Sequence, residues 1–159
     1  MLEHWRVKLR KFKWDDLYAV QALINMIAED ENDPYFYNLE WLHFHLNQQA
    51  VNAEQNCFVS TVYGGKIVGY SRIEIGDDPT RITVHAGTHP NMQGIGIGRS
   101  LVRLNDFNLL AISPHDKPLI VVRHTATDHQ PSADLLACAG YDQTDVNEDN
   151  HLMWEKQLR

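Results

Sequence analysis

The run HPNMQGIGIGRSLVRL (89–104) sets three glycines, Gly94, Gly96 and Gly98, at alternate positions and passes straight into an amphipathic pattern. Where a loop turns into a helix, the first N–H groups lack partners inside the helix, and the macrodipole makes that end electropositive. Glycine lets successive N–H groups converge on one centre and puts no Cβ in the way of a phosphate. The stretch from Gln93 through Gly94, Ile95, Gly96 and Ile97 to Gly98 therefore predicts an anion site, with Arg99 and Arg103 adding charge just inside the helix. Each hydrogen bond to a charged group contributes roughly 1.5–3 kcal/mol, so three or four would hold a pyrophosphate. Two common phosphate loops do not fit. A Walker loop needs Gly-Lys-Ser/Thr and no lysine is present here, and a dinucleotide fingerprint would need glycine where Arg99 stands, after an early parallel strand.

The elements around this loop follow from periodicity. A first strand spans about residues 5–12, and Asp15 and Asp16 are placed to cap a helix carrying Leu17, Val20, Ile24 and Ile27 on one face. The segment EDENDPYFYN ends it, and a second helix over about 38–52 carries Leu39, Leu42 and Leu46. CFVSTVYGGKIVGYSRIEIG reads as a hairpin turning at Gly64-Gly65, DDPT turns the chain again, and RITVHAGTHP is a third consecutive strand. After the glycines come a helix over about 95–111, a buried apolar strand LIVV (119–122), a short helix ending at Gly140, and strands around YDQTDV and HLMWEKQL. The order β-α-α-β-β-β-α-β-α-β-β predicts one α/β (α+β) domain over 1–159.

Composition narrows the function. A formal charge of −7 disfavours nucleic acid and anionic lipid and favours a basic small molecule. No apolar run reaches the roughly 18 residues of a membrane span, and the N-terminus lacks an apolar signal segment, so a cytoplasmic protein is expected. Cys57 and Cys138 are too few for a disulfide framework or a zinc site, as expected in a reducing compartment. His43 and His45 lie two apart on a helix and point to different faces, so no metal is expected there. Arg6, Lys8, Arg10, Lys11 and Lys13 read as the solvated face of the first strand.

THPNMQGIGIGRSLV resembles motif A of the GNAT superfamily of acyl-CoA-dependent N-acetyltransferases, whose Q/R-x-x-G-x-G/A pattern is matched by Gln93, Gly96 and Gly98. The resemblance spans nearly the whole chain and is firmest over about 57–141. It implies a GNAT fold, a mixed sheet of about seven strands flanked by about four helices. It also implies acetyl-CoA as cosubstrate, with its pyrophosphate on the loop and its pantetheine arm against main-chain groups of Ala86 and Thr88. The N–H of Thr88 would polarise the thioester carbonyl, an oxyanion-hole role. Gly87 between them fits a β-bulge or a plain strand glycine. Three positions depart from the family pattern: Leu136 stands where a tyrosine general acid is frequent, His129 where an asparagine is common, and Thr88 where a branched apolar residue is usual.

The implied reaction is direct attack of a neutral amine on acetyl-CoA, which requires a proton acceptor. Glu74 and His85 are the candidates, although alternation gives Ile82 and Val84 the phase where the family often places its base and turns His85 to the other face. Tyr35, Tyr37 and Trp41 would line the acceptor pocket. Other readings are a coenzyme-binding lobe without catalysis, as in half of a two-lobed relative, and a phosphate-ligand sensor. The final strands allow pairing into a homodimer.

Overall fold

The computed structural model describes residues 6–33, 36–113, 115–149 and 151–159. Seven strands form one sheet: β1 (Lys8–Lys11), β2 (Cys57–Val62), β3 (Lys66–Glu74), β4 (Arg81–Thr88), β5 (Ile120–Ala126), β6 (Asp142–Val146) and β7 (His151–Gln157). Five helices accompany them: α1 (Leu17–Asp30), α2 (Leu39–Leu46), α3 (Ala53–Asn56), α4 (Ile97–Ile112) and α5 (Gln130–Cys138). Strand order is β1-β2-β3-β4-β5-β7-β6. Only β4 and β5 run parallel among the described residues.

Alternation along β3 and β4 divides the interior into two cores. Ile73, Ile82 and Val84 pack with Ile97, Leu101, Val102 and Leu109 of α4 and with Leu136 of α5. Tyr70 and Val59 face the other way, against Val20 and Leu23 of α1 and Leu42 and Leu46 of α2. Every one of these side chains is buried, and burying each contributes roughly 1.5–3 kcal/mol, so both layers are held firmly to the sheet.

The feature that positions the site is a fork. The β4–β5 ladder holds only Arg81↔Ile120, Ile82↔Val121 and Thr83↔Val122, whereas β4 continues to Thr88 and β5 to Ala126. Meanwhile β5 stays paired with β7 along its whole length, Ile120↔Gln157 to Ala126↔His151. Past Thr83 and Val122 the two central strands therefore part, and the gap opens toward the start of α4.

Several boundaries differ from those expected. The hairpin glycines do take positive φ, 76° at Gly64 and 80° at Gly65. The expected helix over 38–52 stops at Leu46; the polar run Asn47-Gln48-Gln49 leaves it, and Asn52 turns left-handed at φ 47° ahead of α3, a conformation asparagine tolerates. The helix after the glycines begins at Ile97, because Gly94 and Gly96 have positive φ. Asp16 is the N-cap residue of α1, but its side chain makes no capping bond to that helix; its carboxylate accepts from Lys13 N at 2.9 Å and takes Arg10 bidentately at 2.7 and 2.8 Å. No bulge interrupts β4 at Gly87, since Tyr70↔Gly87 and Gly69↔Thr88 stay in register. That glycine serves close approach instead: a Cβ there would stand 2.5 Å from Ile27 Cδ1, so α1 rests directly on the strand. Strand β5 runs to Ala126, beyond the expected 119–122. Tyr35 and the start of the expected first strand lie outside the described residues.

Candidate functional site

The fork and the glycine loop share one cleft of about 730 Å3, a size suited to a cofactor or small ligand. Its rim is the loop. Gly94 and Gly96 have φ of 82° and 95°, where a side chain is strained, and Gly96 is the N-cap of α4. The first α4 bond runs from Ser100 N to Gly96 O, so the N–H groups of Ile97, Gly98 and Arg99 precede the intrahelical ladder. Gln93, Gly94, Ile95, Gly96, Gly98 and Arg99 all line the cleft, as do Ala86, Thr88 and His129. Ile97 does not. Its side chain is 1% exposed and sits in the α4 core, so only its main chain is available to a ligand.

The β4 wall has a definite polarity. His89 N donates to Val68 O at 2.7 Å, which makes Gly69↔Thr88 a non-hydrogen-bonded pair of the antiparallel ladder. The main-chain N–H of Thr88, and that of Ala86 two residues earlier, therefore point away from β3 and into the fork. On the far wall, His129 caps α5: its Nδ1 lies 2.7 Å from Ser132 Oγ. Its Nε2 lies 3.4 Å from Asp30 and 3.5 Å from Gln93 Nε2, so one imidazole touches α1, α5 and the glycine loop.

Glu74 and His85 sit together on the α1–α2 side, with Ile82 and Val84 turned to α4. Glu74 Oε1 meets His45 Nε2 at 2.7 Å and Arg72 Nε at 2.9 Å, and Oε2 lies 3.5 Å from His85 Nε2. Burial alone would raise the Glu74 carboxyl, but hydrogen bonds from His45 and His85 and the charge of Arg72 outweigh it and hold it far below the usual carboxylate range. Burial, together with the Arg72 charge, lowers His85, so its imidazole is neutral at pH 7. Trp41 stacks on His45 at 4.8 Å and 8°, and Tyr37 lies 4.8 Å from Trp41, which ties the expected aromatics to this cluster. His43 packs on Trp14 instead, away from His45. Neither Glu74 nor His85 lines the cleft itself.

Among the lining residues that the sequence did not single out are two on β5. Arg123 and His124 stand on β5 just beyond the last β4–β5 pair. The His124 ring lies 6.2 Å from that of His85 across the fork, and burial lowers its pKa. The signal was present in LIVVRHTA, where an arginine and a histidine follow directly on an apolar run that reads as buried. Leu136 is buried and forms part of the cleft wall, so that position offers no hydroxyl.

Solved structures share the fold at low identity. The yncA protein of Salmonella typhimurium, determined with its cofactor acetyl-CoA, is 18% identical with a TM-score of 0.74 over 96% of this chain and 94% of that one. A phosphinothricin acetyltransferase from Sinorhizobium meliloti in complex with acetyl-CoA is 12% identical, with a TM-score of 0.75 over 95% and 88%. A GCN5-related N-acetyltransferase from Sphaerobacter thermophilus is 17% identical with a TM-score of 0.76; 86% of this chain matches, spanning only 44% of that one. No curated protein matches in sequence. The acetyltransferase (GNAT) family model matches residues 16–104, more than half of the sequence, and the chain belongs to that family.

Proposed function

We propose that the protein transfers an acetyl group from acetyl-CoA to an amine by direct attack inside the forked cleft. The observation that carries this reading is continuity: one cavity joins the unpaired N–H groups at the start of α4 to the inward-facing N–H groups of β4. The loop from Gln93 to Arg99 binds the pyrophosphate, and Ala86 and Thr88 hold the pantetheine arm through their main chain. Thr88 N–H then faces the thioester oxygen and stabilises the charge that develops on it.

The amine approaches from the α1–α2 side, where Tyr37, Trp41 and the His45–Glu74–His85 cluster stand. Glu74 already has three donors around it and its carboxyl is held low, so it positions His85. With Nε2–H directed at Glu74, His85 keeps its Nδ1 lone pair for the amine proton, taken directly or through one water. The electron pair of the amine nitrogen forms the new C–N bond, the C–S bond breaks, and its electrons leave on sulfur.

The test follows free-thiol release over a panel of amines together with the melting temperature in acetyl-CoA, coenzyme A and ATP. Ligand at about 100 times its dissociation constant should add roughly 2.7 kcal/mol of stability. A shift with acetyl-CoA and thiol release with at least one amine support transfer. A second reading, coenzyme binding without turnover, is favoured by the apolar Leu136 on the cleft wall, and a melting shift with no thiol release from any amine would select it. A shift with ATP equal to that with acetyl-CoA would point to a phosphate-ligand sensor.

A further inference from the structure

When the C–S bond breaks, a negative charge forms on sulfur inside the cleft; α5 lines that cleft with Ser132, Asp134, Leu135 and Cys138, and at the position where a tyrosine acid was expected it carries the apolar Leu136. A buried cation stands nearby. Arg123 is 3% exposed yet lines the cleft, and its guanidinium is aligned by two donations into the fold: Nε to Tyr141 Oη at 3.0 Å and Nη2 to Asn105 Oδ1 at 3.4 Å. Among the described residues Nη1 has no hydrogen-bond partner.

Charge around this arginine is not balanced locally. The carboxylate facing it is Asp106, 3.9 Å from Nη2, and Asp106 is also approached by Lys156 Nζ at 3.2 Å. Two cations share one anion. Tyr141 cannot supply the missing charge or a free proton: its hydroxyl donates to Asp106 at 2.9 Å, accepts from Arg123, and is kept protonated because burial raises its pKa. Of the two cations, Lys156 is partly exposed while Arg123 is buried, so the guanidinium is the fixed, desolvated charge that acts strongly on a developing anion in the cleft.

We propose that Arg123 stabilises the departing coenzyme A thiolate, so that the leaving group departs as an anion paired with the guanidinium instead of being protonated by a side chain on α5. The inference rests on the acetyl-transfer reading above. The balance of the step is unchanged: the amine proton goes to His85, the C–S electron pair stays on sulfur beside Arg123, and the thiolate takes its proton from solvent after release. Arg123 touches the reacting atom and is in that sense catalytic; Tyr141 and Asn105 are positioning residues that fix its plane.

The experiment titrates the thiol of bound coenzyme A by thiolate ultraviolet absorbance in the wild type, Arg123→Lys and Arg123→Met, with coenzyme A affinity and melting temperature measured in parallel. Asp106 keeps Lys156 in both variants, so the fold has a counter-charge. In the wild type the bound thiol should titrate at least about one pH unit below free coenzyme A, as expected of an anion beside a fixed cation. Arg123→Lys should retain part of that shift and Arg123→Met none, with turnover lowered roughly 10²–10³-fold in the latter, the size typical of losing one donor to a developing anion. A thiol with its ordinary pKa in the wild-type complex would overturn the proposal whether or not the variants fold, as would an equal shift in folded Arg123→Met. Failure of coenzyme A to bind the wild type at all would instead overturn the acetyl-transfer reading, and this one with it.

Discussion

Replacing Gly96 tests the anion site most directly, because strain and charge can be separated there. The residue sits at φ 95°, ψ 2°, and a Cβ built on it meets nothing within 4 Å. Gly96→Ala therefore pays only for the left-handed backbone, about 1–2 kcal/mol, which for a domain of this size lowers the melting temperature by about 2–8 °C. Gly96→Asp carries the same strain and adds a carboxylate among the N–H groups of Ile97, Gly98 and Arg99. At about 4–6 Å from a pyrophosphate charge and an effective dielectric of about 20, repulsion is about 3–4 kcal/mol. That corresponds to about two to three orders of magnitude in Kd. Isothermal titration of coenzyme A into both variants isolates the difference. Gly96→Asp should stay folded by circular dichroism and lose about a hundredfold or more in affinity relative to Gly96→Ala. Binding by Gly96→Asp within tenfold of Gly96→Ala would place the phosphate site elsewhere and refute the role assigned to the loop.

Other expectations concern the chemistry and the thiols. His85→Ala should leave acetyl-CoA affinity intact and lower turnover roughly 10²–10⁴-fold, and the wild-type rate should fall as pH drops through a value below 6.5 while the variant loses that limb, checked by initial rates across pH. Glu74→Gln leaves Arg72 buried without its carboxylate, so we expect a loss of about 2 kcal/mol, discounted for the partial exposure of the cluster, together with weaker catalysis through a misplaced His85. The folded Glu74 carboxyl lies below its ordinary 4.5, so its stabilisation is present above that pH and is lost as pH falls below it; urea midpoints against pH should show an acid decline that is shallower in Glu74→Gln. Of the two cysteines, Cys57 is fully buried with its thiol pushed up to about 12, whereas Cys138 is exposed and lines the cleft. A thiol reagent should label Cys138 alone in the native protein, read by mass spectrometry, and acetyl-CoA should protect it.

The glycine loop was legible because its shape is a property of local backbone: left-handed glycines and a helix start are written in consecutive residues. The meander was legible for the same reason, since Gly64-Gly65 and Asp77-Asp78-Pro79 are turn signals within a few residues of the strands they join. Helix ends were less so. Nothing in the period of Leu39, Leu42 and Leu46 says that Asn47 leaves the helix, and Asp16 as a cap could not be told from Asp16 as the partner of Arg10, since Arg10 comes to it from a neighbouring strand. For Gly87 the sequence left a bulge and a plain strand glycine open; the register makes it a plain strand glycine, and its reason lies in a different element, the Ile27 side chain of α1 resting on it.

The titratable residues in and beside the cleft belong to a third category, where register decides. His85 and Glu74 are eleven positions apart and meet because β3 and β4 pair Arg72 with His85. Arg123 is legible as an anomaly in LIVVRHTA, yet its partners come from α4 (Asn105 and Asp106) and from just after α5 (Tyr141). A buried arginine in an apolar strand is expensive unless its donors are satisfied, and each of those three contacts reduces that expense. They also fix the guanidinium in one plane with Nη1 left over, whereas a purely structural buried cation would be best served by carboxylates on every donor. Arg123 lines the cleft that opens past Thr83 and Val122, a cleft that Ala86 and Thr88 also line. The fork therefore sets donors on both walls, peptide N–H groups on β4 and a guanidinium on β5; in the proposed transfer the first would face the carbonyl oxygen and the second the sulfur, so that both atoms gaining charge would meet positive potential.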